Sequence, residues 1–162
     1  MKNRFIKGIL SSLPLWMACI LTSCLTAGLE DLPAFEEAEI TDVRFEFRYK
    51  DASAPWIDGE PMVRIVNLTT QNRVIDTNAA TITCALQVPA AADAFTEAVR
   101  GQVSLASLAG KFNLSTAAVI APVEGAPVLG IPGDFSGPRK YKVTAADGTT
   151  KTWTVHVTGL NK

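Results

Sequence analysis

The tightest constraint on the fold lies near the end of the chain. Residues 139–158 read Arg-Lys-Tyr-Lys-Val-Thr-Ala-Ala-Asp-Gly-Thr-Thr-Lys-Thr-Trp-Thr-Val-His-Val-Thr. Tyr141, Val143 and Ala145 alternate with Lys140, Lys142 and Thr144, and beyond a turn signal Trp153, Val155 and Val157 alternate with Thr152, Thr154 and His156. Two adjacent runs of period-two alternation define a β-hairpin with one apolar face. Parity then selects the turn, because directly opposed residues share a face. A two-residue Asp147-Gly148 loop would set Trp153 against Lys142 and split the apolar face. A three-residue loop, Ala146-Asp147-Gly148, with Gly148 left-handed in a bulge, sets Tyr141 opposite Trp153 and brings the apolar faces together.

The remaining periodicity agrees with this hairpin. Residues 40–49 place Val43, Phe45, Phe47 and Tyr49 on one face and Asp42, Arg44, Glu46 and Arg48 on the other, which predicts a half-buried strand. Residues 50–61, with Pro55, Gly59 and Pro61, read as a loop between that strand and another over 62–68. Val74 and Ile75 make a short strand at most, and residues 81–88 a longer one stopped by Pro89. Between 90 and 100, Ala94, Phe95, Ala98 and Val99 recur at helical spacing, so one short helix is expected there, ended by Gly101. Val103 with Leu105, Phe112 with Leu114, and residues 119–121 are short strand-like pieces divided by Gly110 and by Ser115-Thr116. The glycines and prolines of residues 125–138 predict a crossing loop, in which Asp134-Phe135-Ser136 forms a turn that drops Phe135 onto the core. The fold class predicted is all-β: an antiparallel β-sandwich of about seven to nine strands over residues 40–160.

The first 23 residues follow a different logic. Lys2, Arg4 and Lys7 precede an apolar run through Leu13, Leu15, Trp16, Met17, Ile20 and Leu21, the pattern of a signal peptide. Pro14 and two serines leave that run short of the roughly 20 apolar residues a spanning helix needs. The run ends in Leu21-Thr22-Ser23-Cys24, which resembles the bacterial lipoprotein box, so Cys24 is the expected lipidation site and the membrane a partner through that lipid. Residues 24–39 carry Glu30, Asp31, Glu36, Glu37 and Glu39 with little periodicity and read as an acidic tether. Its acidity resembles the surface-export signal of Bacteroidetes lipoproteins.

Removing residues 1–23 takes away three basic residues and no acidic ones, leaving 12 Lys+Arg against 16 Asp+Glu, a net charge of −4. Such a balance argues against nucleic acid as a partner. Cys84 has no disulfide partner once Cys19 leaves and Cys24 is acylated, and it stands in phase with Ile82, Leu86 and Val88 as a small buried hydrophobe.

The order Ala117-Ala118-Val119-Ile120-Ala121-Pro122, a glycine-rich loop, Asp134-Phe135-Ser136, and then the hairpin from Tyr141 resembles the Ig-like β-sandwich domains of uncharacterised Bacteroidetes outer-membrane lipoproteins. The resemblance covers roughly residues 38–158. It implies a lipid-anchored outer-membrane protein of the kind associated with polysaccharide utilisation or other surface systems, and it transfers no catalytic residue.

The residues themselves offer little chemistry. His156 is the one histidine and falls on the outward phase of the last strand, so neither a Ser-His-Asp set nor a zinc site can be assembled around it. No catalytic residue, metal or cofactor is expected. The binding candidate is the loop holding Trp56 with Asp51, Asp58 and Glu60, because an aromatic ring stacks on a sugar face while carboxylates accept from hydroxyls. The competing reading folds Trp56 and Ile57 back as a plug on one end of the sandwich, and it is the one the sequence favours. The functional expectation is a non-catalytic cell-envelope module binding a glycan or a protein of an outer-membrane assembly. The alternatives are a structural subunit or adaptor of a fimbria-like system, and then a glycoside-acting enzyme using paired carboxylates.

Overall fold

The computed structural model describes residues 34–162. Within them run strands β1 (Ile40–Asp51), β2 (Met62–Asp76) and β3 (Thr81–Gln87), a short helix α1 (Glu97–Gly101), and strands β4 (Ala109–Leu114), β5 (Val119–Val123), β6 (Arg139–Thr144) and β7 (Thr150–Asn161). The seven strands join in the order β4-β1-β2-β3-β7-β6-β5. β4 and β6 are far apart in that order, yet the ring of Phe112 on β4 meets that of Tyr141 on β6 edge to face at 5.1 Å. Phe135, from the loop before β6, meets Phe45 of β1 in the same way, also at 5.1 Å. The strands therefore curl over on themselves, and their apolar faces close around one core in a sandwich-like arrangement.

The curl is made in β2. Its residues 62–68 pair with β1 and its residues 69–76 with β3. The register slips between Gln71 and Val74, where Asn72 takes a left-handed φ of 49°. A bulge of this kind bends a strand without breaking it. The two strands expected over 62–68 and 74–75 are thus one.

The C-terminal hairpin has the expected register. Tyr141 pairs with Trp153 and Thr144 with Thr150, and Gly148 sits at φ 91° in the three-residue loop. The Ala145 N–H donates to the Thr149 carbonyl at 2.8 Å and the Gly148 N–H to the Ala145 carbonyl at 3.1 Å, which closes the turn. Tyr141 and Trp153 are both fully buried. The Asp134 turn also forms, with its carboxylate accepting from the Ser136 N–H at 2.8 Å while Phe135 is buried.

Five expectations are corrected. The strands are not all antiparallel: β3 and β7 run parallel, with Ile82 beside Val155. No hairpin links these two strands, so core burial sets their direction instead of a turn. The helix is confined to Glu97–Gly101 and opens at Thr96, whose hydroxyl accepts from the Val99 N–H at 3.3 Å. Residues 92–95 form a tight turn, so the helical spacing of Ala94 and Phe95 is coincidental. Val103 and Leu105 are not a strand, since a 3-10 turn spans Leu105–Ser107. Gly110 does not divide strands but lies inside β4, where a Cβ would come within 3.0 Å of the Phe135 ring. β5 continues through Pro122 to Val123, which an outermost strand permits.

The signal segment, Cys24 and most of the acidic tether lie outside the described residues. Of the tether, residues 35–39 are fastened to the domain. The Trp153 indole N–H donates to the Ala38 carbonyl at 2.9 Å, and Lys151 pairs with Glu39 at 2.7 Å while standing 5.2 Å from the Trp153 ring. Ser115 accepts from the Glu39 N–H at 3.1 Å, and the Phe35 carbonyl accepts from the Asp147 N–H at 3.2 Å. The domain therefore begins several residues before β1.

Candidate functional site

The loop from β1 to β2 is built from its base upward. β1 ends at Asp51, whose residue is only 5% exposed. One carboxylate oxygen accepts from the Ser53 N–H at 2.9 Å and from its hydroxyl at 2.5 Å, and the other accepts from Arg64 Nε at 2.5 Å across the strand pair. The Ser53 hydroxyl and then the Arg64 guanidinium hold the Asp51 carboxyl down at a pKa of about 2. All of this side chain's bonding is internal. Asp51 is the anchor of the loop and not one of its ligand-facing groups.

Above that anchor, Ile57 and Glu60 exchange two backbone hydrogen bonds, of 3.0 and 2.9 Å, around Asp58 and Gly59. Both central residues have positive φ, 50° and 81°. A two-residue turn of this hand requires positive φ at both positions, and Asp-Gly meets the requirement at low cost. Trp56 and Ile57 stand out from the turn at 62% and 59% exposure. The plug favoured on sequence grounds is therefore not formed. Glu60 pairs at 3.2 Å with Lys50, and both side chains are well exposed. Trp56, Asp58 and Glu60 thus share one protruding turn, while Asp51 is withdrawn beneath it.

A second feature lies where β3 has ended and β2 is paired only on its β1 side. Tyr49, Arg64, Ile65 and Val66 on one side and the turn at residues 92–95 on the other enclose an open depression of about 340 Å³. Phe95 is buried there, and its ring lies 6.1 Å from that of Tyr49. The turn is held by two backbone bonds between Ala92 and Phe95, with Asp93 at φ 48°. The sequence reading missed this feature by assigning residues 92–95 to a helix. Two signals pointed to it: an aspartate suited to left-handed φ, and Thr96 as a helix cap immediately after Phe95.

The outer face of β1 carries charges held in ion pairs. Glu46 is almost wholly buried and pairs with Arg48 at 2.5 Å and with Lys111. Burial alone would raise its carboxyl pKa, but hydrogen bonds from Lys111 and Arg48 bring the balance below the usual value. Cys84 is buried, and desolvation pushes its thiol up to about 11, which deprives it of thiolate character. His156 lies beside Thr83 on the β3–β7 pair, facing away from Trp153 and Val155. Among the described residues no group of three or more His, Cys, Asp or Glu side chains is placed to hold a metal ion.

What these features offer is contact surface: an exposed indole on a hydrogen-bonded turn, and a depression beside one unpaired strand edge. Among curated proteins, none matches this chain. A crystal structure at 1.81 Å of a Bacteroides fragilis protein, described as secreted, is similar: it is 44% identical, with a TM-score of 0.71, and the match covers 80% of this chain and all of that one. The model of the DUF5018-related family matches residues 40–156, from the start of β1 to the middle of β7. The chain belongs to the DUF5018-related family.

Proposed function

We propose that this protein is a lipid-anchored, non-catalytic module of the outer membrane, related to the Ig-like sandwich domains of Bacteroidetes lipoproteins. In this reading it binds a glycan of the cell envelope through the Trp56 turn, or a partner protein of an outer-membrane assembly at the same end. The observation that carries the reading is Trp56 itself, exposed on a turn whose backbone is held by paired hydrogen bonds. An indole on an ordered turn has only its two side-chain torsions to fix when it stacks on a sugar ring. Asp58 and Glu60 on the same turn are acceptors for hydroxyl groups. Lipidation at Cys24 rests on Leu21-Thr22-Ser23-Cys24, and the similar Bacteroides protein described as secreted is compatible with an envelope location.

Two experiments test the reading. On a glycan array, the parent chain should bind a defined glycan class, and Trp56→Ala should lose that binding at least about tenfold with an unchanged melting temperature. Absence of binding by the parent, or equal binding by Trp56→Ala, removes the Trp56 site. For the anchor, Cys24→Ser should leave the membrane fraction and lose acyl label. Continued membrane partition by this variant, together with an unlabelled parent, overturns lipidation.

A further inference from the structure

The outer edges of the terminal strands β4 and β5 are each partly blocked. Along β4 the following loop covers the edge: the Gly130 N–H donates to the Gly110 carbonyl at 2.8 Å, and Leu108 and Gly133 exchange bonds of 3.0 and 2.9 Å. On β5 Pro122 removes a donor from the outer edge. A further edge is the side of β2 away from β1 over residues 63–67. There β3 has already ended, its pairing with β2 stopping at Thr69 opposite Gln87. No strand flanks that side among the described residues. It carries no proline, and Val63 and Ile65 are 55% and 54% exposed.

The direction of the backbone groups on this edge follows from the pairing. In an antiparallel ladder a residue points both its N–H and its C=O either toward a given neighbour or away from it, alternately. The Gly110 carbonyl is bound to Gly130, away from β1, so the pair Gly110–Phe45 is the kind without ladder bonds. Phe45 then turns its groups toward β2, and its partner there is Leu68. It follows that Leu68, Val66 and Arg64 bond toward β1, whereas Val63, Ile65 and Asn67 aim their N–H and C=O groups at the open side. The adjoining pair of Thr69 with Gln87 of β3 has the same phase.

We propose that residues 63–67 of β2 form a strand-acceptor site, taking one extended apolar segment of a partner protein between this edge and the turn at residues 92–95. The segment bonds to the backbone of Val63, Ile65 and Asn67, and one of its apolar side chains enters the depression lined by Tyr49, Val66 and Phe95. Two observations favour a partner's single segment over a second copy of this chain. The open edge is five residues long, whereas a stable interface between folded proteins uses about 20–30 residues a side. The turn at residues 92–95 also lines the depression beside this edge, which at about 340 Å³ has the size of a few side chains and not of a second domain's face. The site is distinct from the Trp56 turn and belongs to the protein-binding half of the functional reading, so either can fail without the other.

The test uses the full-length chain and a displayed library of random peptides, with Ile65→Pro as the decisive variant. Proline at position 65 removes an outward-facing N–H and leaves the β1 pairing intact. Selected peptides should carry apolar residues at alternate positions. They should bind Ile65→Pro at least about tenfold more weakly, bind Trp56→Ala as well as the parent, and slow amide exchange at Val63, Ile65 and Asn67. N-methylation along a selected peptide should abolish binding at every second position only. This readout stands even if Ile65→Pro proves unstable. Failure to select any peptide, equal binding to Ile65→Pro, or N-methyl effects without period two would overturn the site. A chain that dimerises in solution and becomes monomeric on Ile65→Pro would assign the edge to a second copy and overturn the partner segment.

Discussion

The domain holds two tryptophans in opposite situations. Trp153 lies at the centre of the β6–β7 hairpin with no exposed surface, its N–H given to Ala38 and its ring overlain by Lys151. Trp56 lies on the β1–β2 loop and is mostly in water. Each stands on a closely defined backbone, and each follows or precedes a turn built on Asp-Gly. The difference is what the alternating residues around them do. Around Trp153 the alternation continues for several residues on both arms, so the whole face is buried together. Around Trp56 prolines at 55 and 61 leave no alternation, and no neighbouring apolar face requires the ring as cover. An indole is a core anchor in the first setting and is left largely in water in the second.

This contrast predicts a graded set of responses. Trp153→Ala should have the largest effect, a loss of about 3–5 kcal/mol in denaturant unfolding, since it opens a cavity in the core and also strands the Ala38 carbonyl. A loss below about 1 kcal/mol would mean that the hairpin does not organise the core. Gly148→Val should cost about 1 kcal/mol or more. Nothing lies within 4 Å of a Cβ at position 148, so the penalty is conformational, from a β-branched residue at positive φ. Gly148→Asn should recover part of that loss, and if it does not, crowding and not φ is responsible.

The next test addresses the anchor beneath Trp56. Asp51 has a folded pKa of about 2 against roughly 3.9 for an unfolded aspartate, so its contribution to stability is fully present above pH 4 and is lost as the pH falls from about 4 toward 2. Asp51→Asn should flatten the acid limb of the melting curve in that window and loosen the loop, measured as faster amide exchange at Ser53 and Ala54. An unchanged acid limb would show that the Ser53 and Arg64 contacts do not hold the carboxylate. The smallest effect is expected for Trp56→Ala, within about 0.5 kcal/mol of the parent. A larger loss would return Trp56 to the role of a plug and erase the contrast between the two tryptophans.

Legibility in the sequence followed the range of the interaction that places each residue. The β6–β7 register was readable because parity and one left-handed glycine act within about 20 residues. Phe135 was readable for the same reason, since its turn is made by its own neighbours Asp134 and Ser136. The turn at residues 92–95 was misread because alanines and one phenylalanine satisfy a helical pattern by chance, and only packing against Tyr49 decides between the two. Gly110 was misread as a break because the reason for it, the Phe135 ring, arrives from 25 positions later. Of the candidate site, the chain itself grouped Trp56, Asp58 and Glu60, but the withdrawal of Asp51 depends on Arg64 from the next strand.

By itself, then, the sequence determined the all-β class, the hairpin register and the Asp134 turn that buries Phe135, because these are written in local alternation and turn chemistry. The tertiary structure alone decided the parallel pairing of β3 with β7, the bend that makes β2 one strand, the exposure of Trp56 and the bare edge beyond Leu68. Each of those depends on which distant segment covers which surface. Burial is a property of the assembled layers, and no local pattern states where a neighbouring strand will stop.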